Sequence, residues 1–158
     1  MKREIERRFL VNSDKLPPLS RGKLVSQGYL SKLEKKDSPI VRVRIEGKKS
    51  YLTIKIFESE LSKLEYEYKL PLREAEKLLE SSFANVQKIR YNLKVYGHSW
   101  VVECYEGENF PLIVAEIELT EENETFQKPL WISKEVSYDP RFHAYNLALK
   151  PFSSWKNH

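Results

Sequence analysis

Segment after segment of this chain alternates a charged side chain with an apolar one. Residues 41–46 read Val-Arg-Val-Arg-Ile-Glu, and residues 51–56 read Tyr-Leu-Thr-Ile-Lys-Ile. A β-strand turns successive side chains to opposite faces. Arg42, Arg44 and Glu46 therefore share one face, and Thr53 and Lys55 lie opposite Leu52, Ile54 and Ile56. Residues 64–70 set Glu65, Glu67 and Lys69 against Leu64, Tyr66, Tyr68 and Leu70, and residues 86–95 set Lys88, Arg90, Asn92 and Lys94 against Ile89, Tyr91, Leu93 and Val95. Glu103 stands between Trp100, Val102 and Cys104. Near one end Glu4, Glu6 and Arg8 share a face, and near the other Glu116 and Glu118 do. These polar faces carry eight acids, at 4, 6, 46, 65, 67, 103, 116 and 118, and eight bases, at 8, 42, 44, 55, 69, 88, 90 and 94. An ordinary amphipathic sheet would show more Ser, Thr, Gln and Asn outward. A nearly all-ionic face implies one shared wet cavity, with the apolar faces turned outward and helices laid over them.

Length and composition set the bounds. The chain has 158 residues, 41% hydrophobic and 32% charged, which suits one domain over 1–158 with a sizeable core. The formal net charge of +4 is compatible with an anionic ligand. No run is long enough to span a membrane, and no charged-then-apolar leader precedes the first strand, so the expectation is a cytoplasmic protein. The single cysteine, Cys104, falls on an apolar strand face and is expected to be a buried, inert thiol.

The order of elements reads as α+β. Leu16-Pro17-Pro18-Leu19 breaks the chain after the first strand, and a second strand runs from Leu24 to Leu30. Asp37-Ser38-Pro39 marks a turn, Gly47-Lys48-Lys49-Ser50 a hairpin connection, and Glu58-Ser59-Glu60 another. A helix is predicted from Leu72, after Pro71, to about Ser82. Three strands follow at roughly 86–96, 99–106 and 112–119. Thr120, with Glu121 and Glu122 behind it, reads as a helix N-cap. A last helix is expected from Asp139 through Leu149, ending before Pro151.

Crowded Lys and Arg side chains repel each other, and a polyanion relieves that repulsion. Arg offers phosphate a bidentate fork and Lys a point charge. Carboxylates on the same faces would expel phosphate unless a divalent cation bridged the two, and paired acids suit hard Mg or Mn. One such pair alone reads as the solvated face of a half-buried strand. The repeated pattern points instead to a metal-dependent site for a chain of phosphates. A nucleic-acid surface would interleave bases with aromatic platforms and carry few acids, so no nucleic acid is expected. There is no Gly-rich phosphate loop and no nucleophile elbow. His98, His143 and His158 have no partner at zinc spacing, and Trp100 and Trp131 read as packing residues.

Glu4-x-Glu6-x-Arg8 resembles the signature of the CYTH domain, or triphosphate tunnel metalloenzyme, family. The resemblance continues in order through Gly28-Tyr29-Leu30, Val41-Arg42-Val43-Arg44, Leu52-Thr53-Ile54-Lys55 and Lys63-Leu64-Glu65-Tyr66-Glu67. It runs on through Lys88-Ile89-Arg90-Tyr91, Trp100-Val101-Val102-Glu103, Glu106-Gly107, Ala115-Glu116-Ile117-Glu118-Leu119 and the segment 135–142. The resemblance implies an eight-stranded antiparallel closed β-barrel, a triphosphate tunnel with a charged interior and helices packed outside. It implies a hydrolase of linear triphosphates dependent on Mg or Mn, most simply an inorganic tripolyphosphatase. On the same scaffold it leaves open an adenylate cyclase, a nucleoside or thiamine triphosphatase, and a non-catalytic polyphosphate-binding module. By resemblance Glu4, Glu6, Glu116 and Glu118 are the metal and water-activating carboxylates, with Glu103 a further metal ligand. Arg8, Arg42, Arg44, Lys55, Lys88 and Arg90 are the phosphate cradle. Three features depart from the family pattern: Arg8 where Lys is usual, Glu103 where Asp is common, and the tail Arg141-Phe142-His143-Ala144-Tyr145. The expected partner is a small triphosphate, with no membrane, and an exposed strand edge leaves room for a homodimer.

Overall fold

The computed structural model describes residues 1–156. Its strands are β1 (Lys2–Val11), β2 (Lys23–Tyr29), β3 (Ile40–Glu46), β4 (Lys49–Phe57), β5 (Ser62–Lys69), β6 (Ala84–Val95), β7 (His98–Tyr105), β8 (Ile113–Leu119) and β9 (Ile132–Glu135). Its α-helices are α1 (Leu72–Ser81) and α2 (Ala144–Leu149). The sheet order is β5-β4-β3-β2-β6-β7-β8-β1-β9, and β5 also pairs with β1, so the first eight strands close into an antiparallel barrel. One edge of β1 pairs with β8, while its other edge is divided between β5, at residues 2–5, and β9, at Phe9 and Val11. Among the described residues no helix is long and apolar enough to cross a membrane.

Local chemistry explains the tight connections. Tyr96 and Gly97 both take positive φ between paired Val95 and His98, the two-residue turn whose twist matches antiparallel strands. Gly28 serves a close approach, since a Cβ there would come within 2.5 Å of the Ser82 hydroxyl at the end of α1. That contact seats α1 on the outer faces of β2, β3 and β4, with Ala75 buried beneath it.

The outer wall over β1, β7 and β8 is covered differently from the expectation. Thr120 starts no helix: residues 120–131 run as turns and extended chain, and the Thr120 hydroxyl donates to Glu124 at 2.5 Å. An acceptor four residues on satisfies the hydroxyl without a helical turn. The segment carries Phe126 and Trp131 onto Phe9 and Trp100, whose rings meet theirs near edge-on at 5.5–6.0 Å. Trp100 and Trp131 are thus packing residues, and Cys104 is a free, half-buried thiol on the same wall.

The last helix is also broken. A 3-10 turn, Pro140–Phe142, ends at His143, and the six-residue α2 begins after it. This segment lies across one end of the barrel rather than along its outside. Inward residues of the strands, Tyr29, Val86, Tyr105 and Val114, bury against Phe142, Tyr145 and Leu147 there. His158 lies outside the described residues.

Candidate active site

The charged faces do line one interior. The cavity occupies about 750 Å³ including its open mouth, and its lining contains Glu4, Glu6, Arg8, Arg42, Arg44, Lys55, Lys88, Arg90, Glu103 and Glu116. Ten of the eleven residues expected from the sequence are therefore brought together. Glu118 is the eleventh. It shares the strand face of Glu116 but stands at the rim, half exposed, paired with Lys2 at 2.5 Å. Glu67, Lys69 and Lys94 are exposed toward the same rim, which explains why parity alone overcounts the interior.

Strand register sets the pairings. Arg8 stands opposite Glu116, and Glu4 opposite Lys63. Arg8 Nη2 donates to Glu116 Oε1 at 2.8 Å and to Glu6 Oε1 at 3.3 Å, so one guanidinium spans both acids. Lys55 Nζ bonds Glu4 Oε2 at 2.7 Å and lies 3.5 Å from Glu65. Glu103, on the neighbouring strand to Glu116, makes a short, buried ion pair with Lys88.

Burial and crowding separate the acids. Burial, then the charges of Glu116 and Glu4, pushes the Glu6 carboxyl up to about 8. Burial also opposes ionisation of Glu116, but Arg8 and Lys88 hold it well below the usual carboxylate range. Lys55 does the same, more weakly, for Glu4. On the basic wall, burial pulls Lys88 down to about 8 despite Glu103. Burial, then Arg42 and Arg90, pulls Arg44 down to about 10.

The basic wall has unused capacity. Among the described residues Arg42, Arg44, Lys63 and Arg90 have no carboxylate at ion-pair distance. Arg42 Nε and Nη2 and Arg90 Nε are buried with no hydrogen-bond partner. Orphaned donors of this kind are costly and rare, and an anion in the cavity satisfies them. The lining holds seven Lys and Arg against five Glu, so the same anion meets a net positive wall.

Among the described residues no group of three or more acidic, histidine or cysteine side chains is arranged to hold a metal ion, because Arg8 and Lys55 take the carboxylates. The chemistry of Glu4, Glu6 and Glu116 nonetheless fits a hard divalent cation: all donors are carboxylate oxygens, and burial with the crowding of Glu116 and Glu4 raises Glu6, a strain that a cation among them would relieve.

Several lining residues escaped the sequence reading. Lys63, 7% exposed, has the parity of Glu65 and sits one residue before the segment counted as ionic. Gln27 and Tyr29 are neutral, and the outward residues of β2, Leu24, Ser26 and Gly28, give no polarity contrast to reveal them. His143, Tyr145 and Asn146 reach the cavity only because the closing segment crosses the barrel end.

A closed antiparallel barrel with an ionic interior and orphaned arginine donors defines an anion-binding class of barrel. A family model for the CYTH domain matches residues 2–143, and the chain belongs to the CYTH domain family. It is 42% identical over 158 residues to an inorganic triphosphatase of Acetivibrio thermocellus, covering 99% of each chain. It is 33% identical over 150 residues to an inorganic triphosphatase of Nitrosomonas europaea, covering 92% of this chain and 97% of that one. A crystal structure of an inorganic triphosphatase superimposes with a TM-score of 0.66 at 31% identity, covering 94% of this chain and 96% of that one. A putative adenylate cyclase from Bacillus halodurans, 18% identical with a TM-score of 0.61, covers 77% of this chain and 84% of its own and shares the fold.

Proposed function

We propose that this chain is an inorganic triphosphatase, hydrolysing tripolyphosphate to diphosphate and phosphate with the help of Mg or Mn. The observation that carries the reading is the spare basic capacity of the cavity: Arg42, Arg44, Lys63 and Arg90 line it with no carboxylate at ion-pair distance, and Arg42 and Arg90 keep buried donors without partners. The two relatives named for this activity, at 42% and 33% identity, support it.

The arginines and lysines would bind and orient the phosphate chain, neutralising charge on its non-bridging oxygens. Glu4, Glu6 and Glu116 would hold the cation, with Glu118 at the rim as a further oxygen donor. When bound, the cation supplies Lewis-acid polarisation of phosphoryl oxygen and a more acidic water. A carboxylate of this set would take the proton as water oxygen attacks the terminal phosphorus and the bridging P–O bond breaks. Glu103, committed to Lys88, would tune the basic wall rather than hold metal. Arg8 would anchor phosphate from the position where it now links Glu6 and Glu116.

Phosphate release from tripolyphosphate, ATP and thiamine triphosphate, each with Mg, with Mn and with chelator, tests the proposal. Metal-dependent release with tripolyphosphate strongly preferred is the expected result. Preference for ATP or thiamine triphosphate would reassign the substrate, and binding without release under every condition would make the chain a polyphosphate-binding module.

A further inference from the structure

Gln27 is fully buried in the cavity wall, and both ends of its amide are engaged. Its Oε1 accepts from Arg44 Nε at 3.3 Å, and its Nε2 donates to the Tyr29 hydroxyl at 2.9 Å. The orientation of the amide follows from chemistry. Arginine can only donate, so the amide oxygen must face Arg44 and the NH₂ must face Tyr29. Among the described residues the Arg44 side chain makes no other hydrogen bond and no ion pair, although Arg42 and Arg90 stand close enough to repel it. Gln27 is thus what holds this guanidinium in place. It does so through Nε, which leaves both terminal nitrogens for a phosphate fork.

The contact chain continues beyond the cradle. The Tyr29 ring packs edge-on against Tyr145 of α2 at 5.1 Å. The Tyr145 hydroxyl accepts from the Leu33 amide at 2.9 Å, in the loop between β2 and β3. The docked closing segment therefore supports Tyr29, and Tyr29 fixes the amide that aims Arg44.

We infer that Gln27 is a positioning residue for phosphate binding, holding Arg44 in register and linking the arginine cradle to the docked end of the barrel through Tyr29 and Tyr145. The inference rests on the tripolyphosphatase reading only for the ligand used to probe it. Substrate that lost a well-aimed charged hydrogen bond should bind about tenfold more weakly. Gln27→Leu should therefore raise KM for tripolyphosphate about tenfold, with kcat changed less than about threefold, since binding is lost uniformly.

A double-mutant cycle separates positioning from general damage. In an Arg44→Ala background, Gln27→Leu should add less than about twofold, because its target is gone. Additive losses would overturn the inference. A second readout needs no turnover: the Nε–H proton of Arg44, identified by its absence in Arg44→Ala, should exchange with solvent faster in Gln27→Leu and stay protected in Gln27→Glu, which keeps the acceptor. Unchanged exchange in the leucine variant would likewise overturn it. Should Gln27→Leu fail to fold, Tyr29→Phe removes one oxygen only, and the same cycle and exchange measurement apply with a smaller shift in the same direction. A wild-type protein that neither binds nor hydrolyses tripolyphosphate would sink the functional proposal, and the exchange measurement would then decide the role of Gln27 alone.

Discussion

Burial, then the charges of Glu116 and Glu4, raises the Glu6 carboxyl to about 8. Its raised value has a definite sign in stability. The folded state keeps a proton that the unfolded chain loses, so the contribution of Glu6 is fully present below about pH 4.5 and is lost as pH rises to about 8. Neutralising Glu116 removes one of the causes and leaves burial and Glu4 in place. In Glu116→Gln, the Glu6 midpoint is expected to fall from about 8, and Glu6 to take over Arg8, which it already touches. The fold survives, while turnover falls at least about 100-fold for want of a cation ligand. A carbon-detected NMR titration of Glu6, run beside the assay, checks both halves; a Glu6 midpoint unchanged from about 8 would mean that burial and Glu4, not Glu116, set it. The arginines make a separate prediction. Arg42 and Arg44 lie about 7 Å apart along β3, a spacing that suits non-adjacent phosphates. Arg42→Ala should weaken triphosphate binding about tenfold and diphosphate binding less. Calorimetric titration with both ligands tests this, and equal losses would mean that Arg42 does not read chain length.

At the scale of elements, strands were legible and coverings were not. The ionic alternation of β3, β4, β6 and β8 is a two-residue period that survives any tertiary context, because one face is wet and the other buried. Glu118 shows its limit: parity gives the face but not the distance from the rim. The segment after β8 misled because Thr-Glu-Glu is a good helix start locally, yet a stretched chain brings Phe126 and Trp131 onto Phe9 and Trp100. Tertiary ring packing overrode local capping preference. Phe126→Ala should therefore cost about 2 kcal/mol, less than a fully buried aromatic because Phe126 is only partly covered. Thermal or urea unfolding measures the loss. KM for tripolyphosphate should stay unchanged, because Phe126 lies on the outer wall, away from the cavity.

For the molecule as a whole, enclosure is the property that matters. Occupying an enclosed site in the native state alone adds RT ln(1 + [L]/Kd), about 2.7 kcal/mol at a hundredfold excess of ligand over Kd. In a chain of this size that raises the melting midpoint by roughly 5 to 10 °C. The rise should persist at moderate salt, because buried charges are weakly screened. A melting series with tripolyphosphate at low and moderate salt tests this, and loss of most of the shift with salt would mean that the ligand binds an outer surface. The closed barrel, its ionic lining and the phosphate chemistry were all accessible from the sequence. The sealing of one end by the chain's last helical segment was not, because a helix expected over 139–149 does not say which surface it covers, and the observed 3-10 turn and six-residue helix are too short to show an apolar face by periodicity.

The divided edge of β1 has a kinetic consequence. This strand supplies Glu4, Glu6 and Arg8, yet its partners lie at residues 62–65, 114–119 and 132–135. During synthesis only its short β5 pairing can form early; the rest of the strand must wait until residues 114–119 and 132–135 have been made. Contacts so distant in sequence are slow to form. Barrel closure and assembly of the carboxylate site are then one late event, so no partly folded intermediate can hold a working centre, and refolding should regain activity in step with the last slow phase.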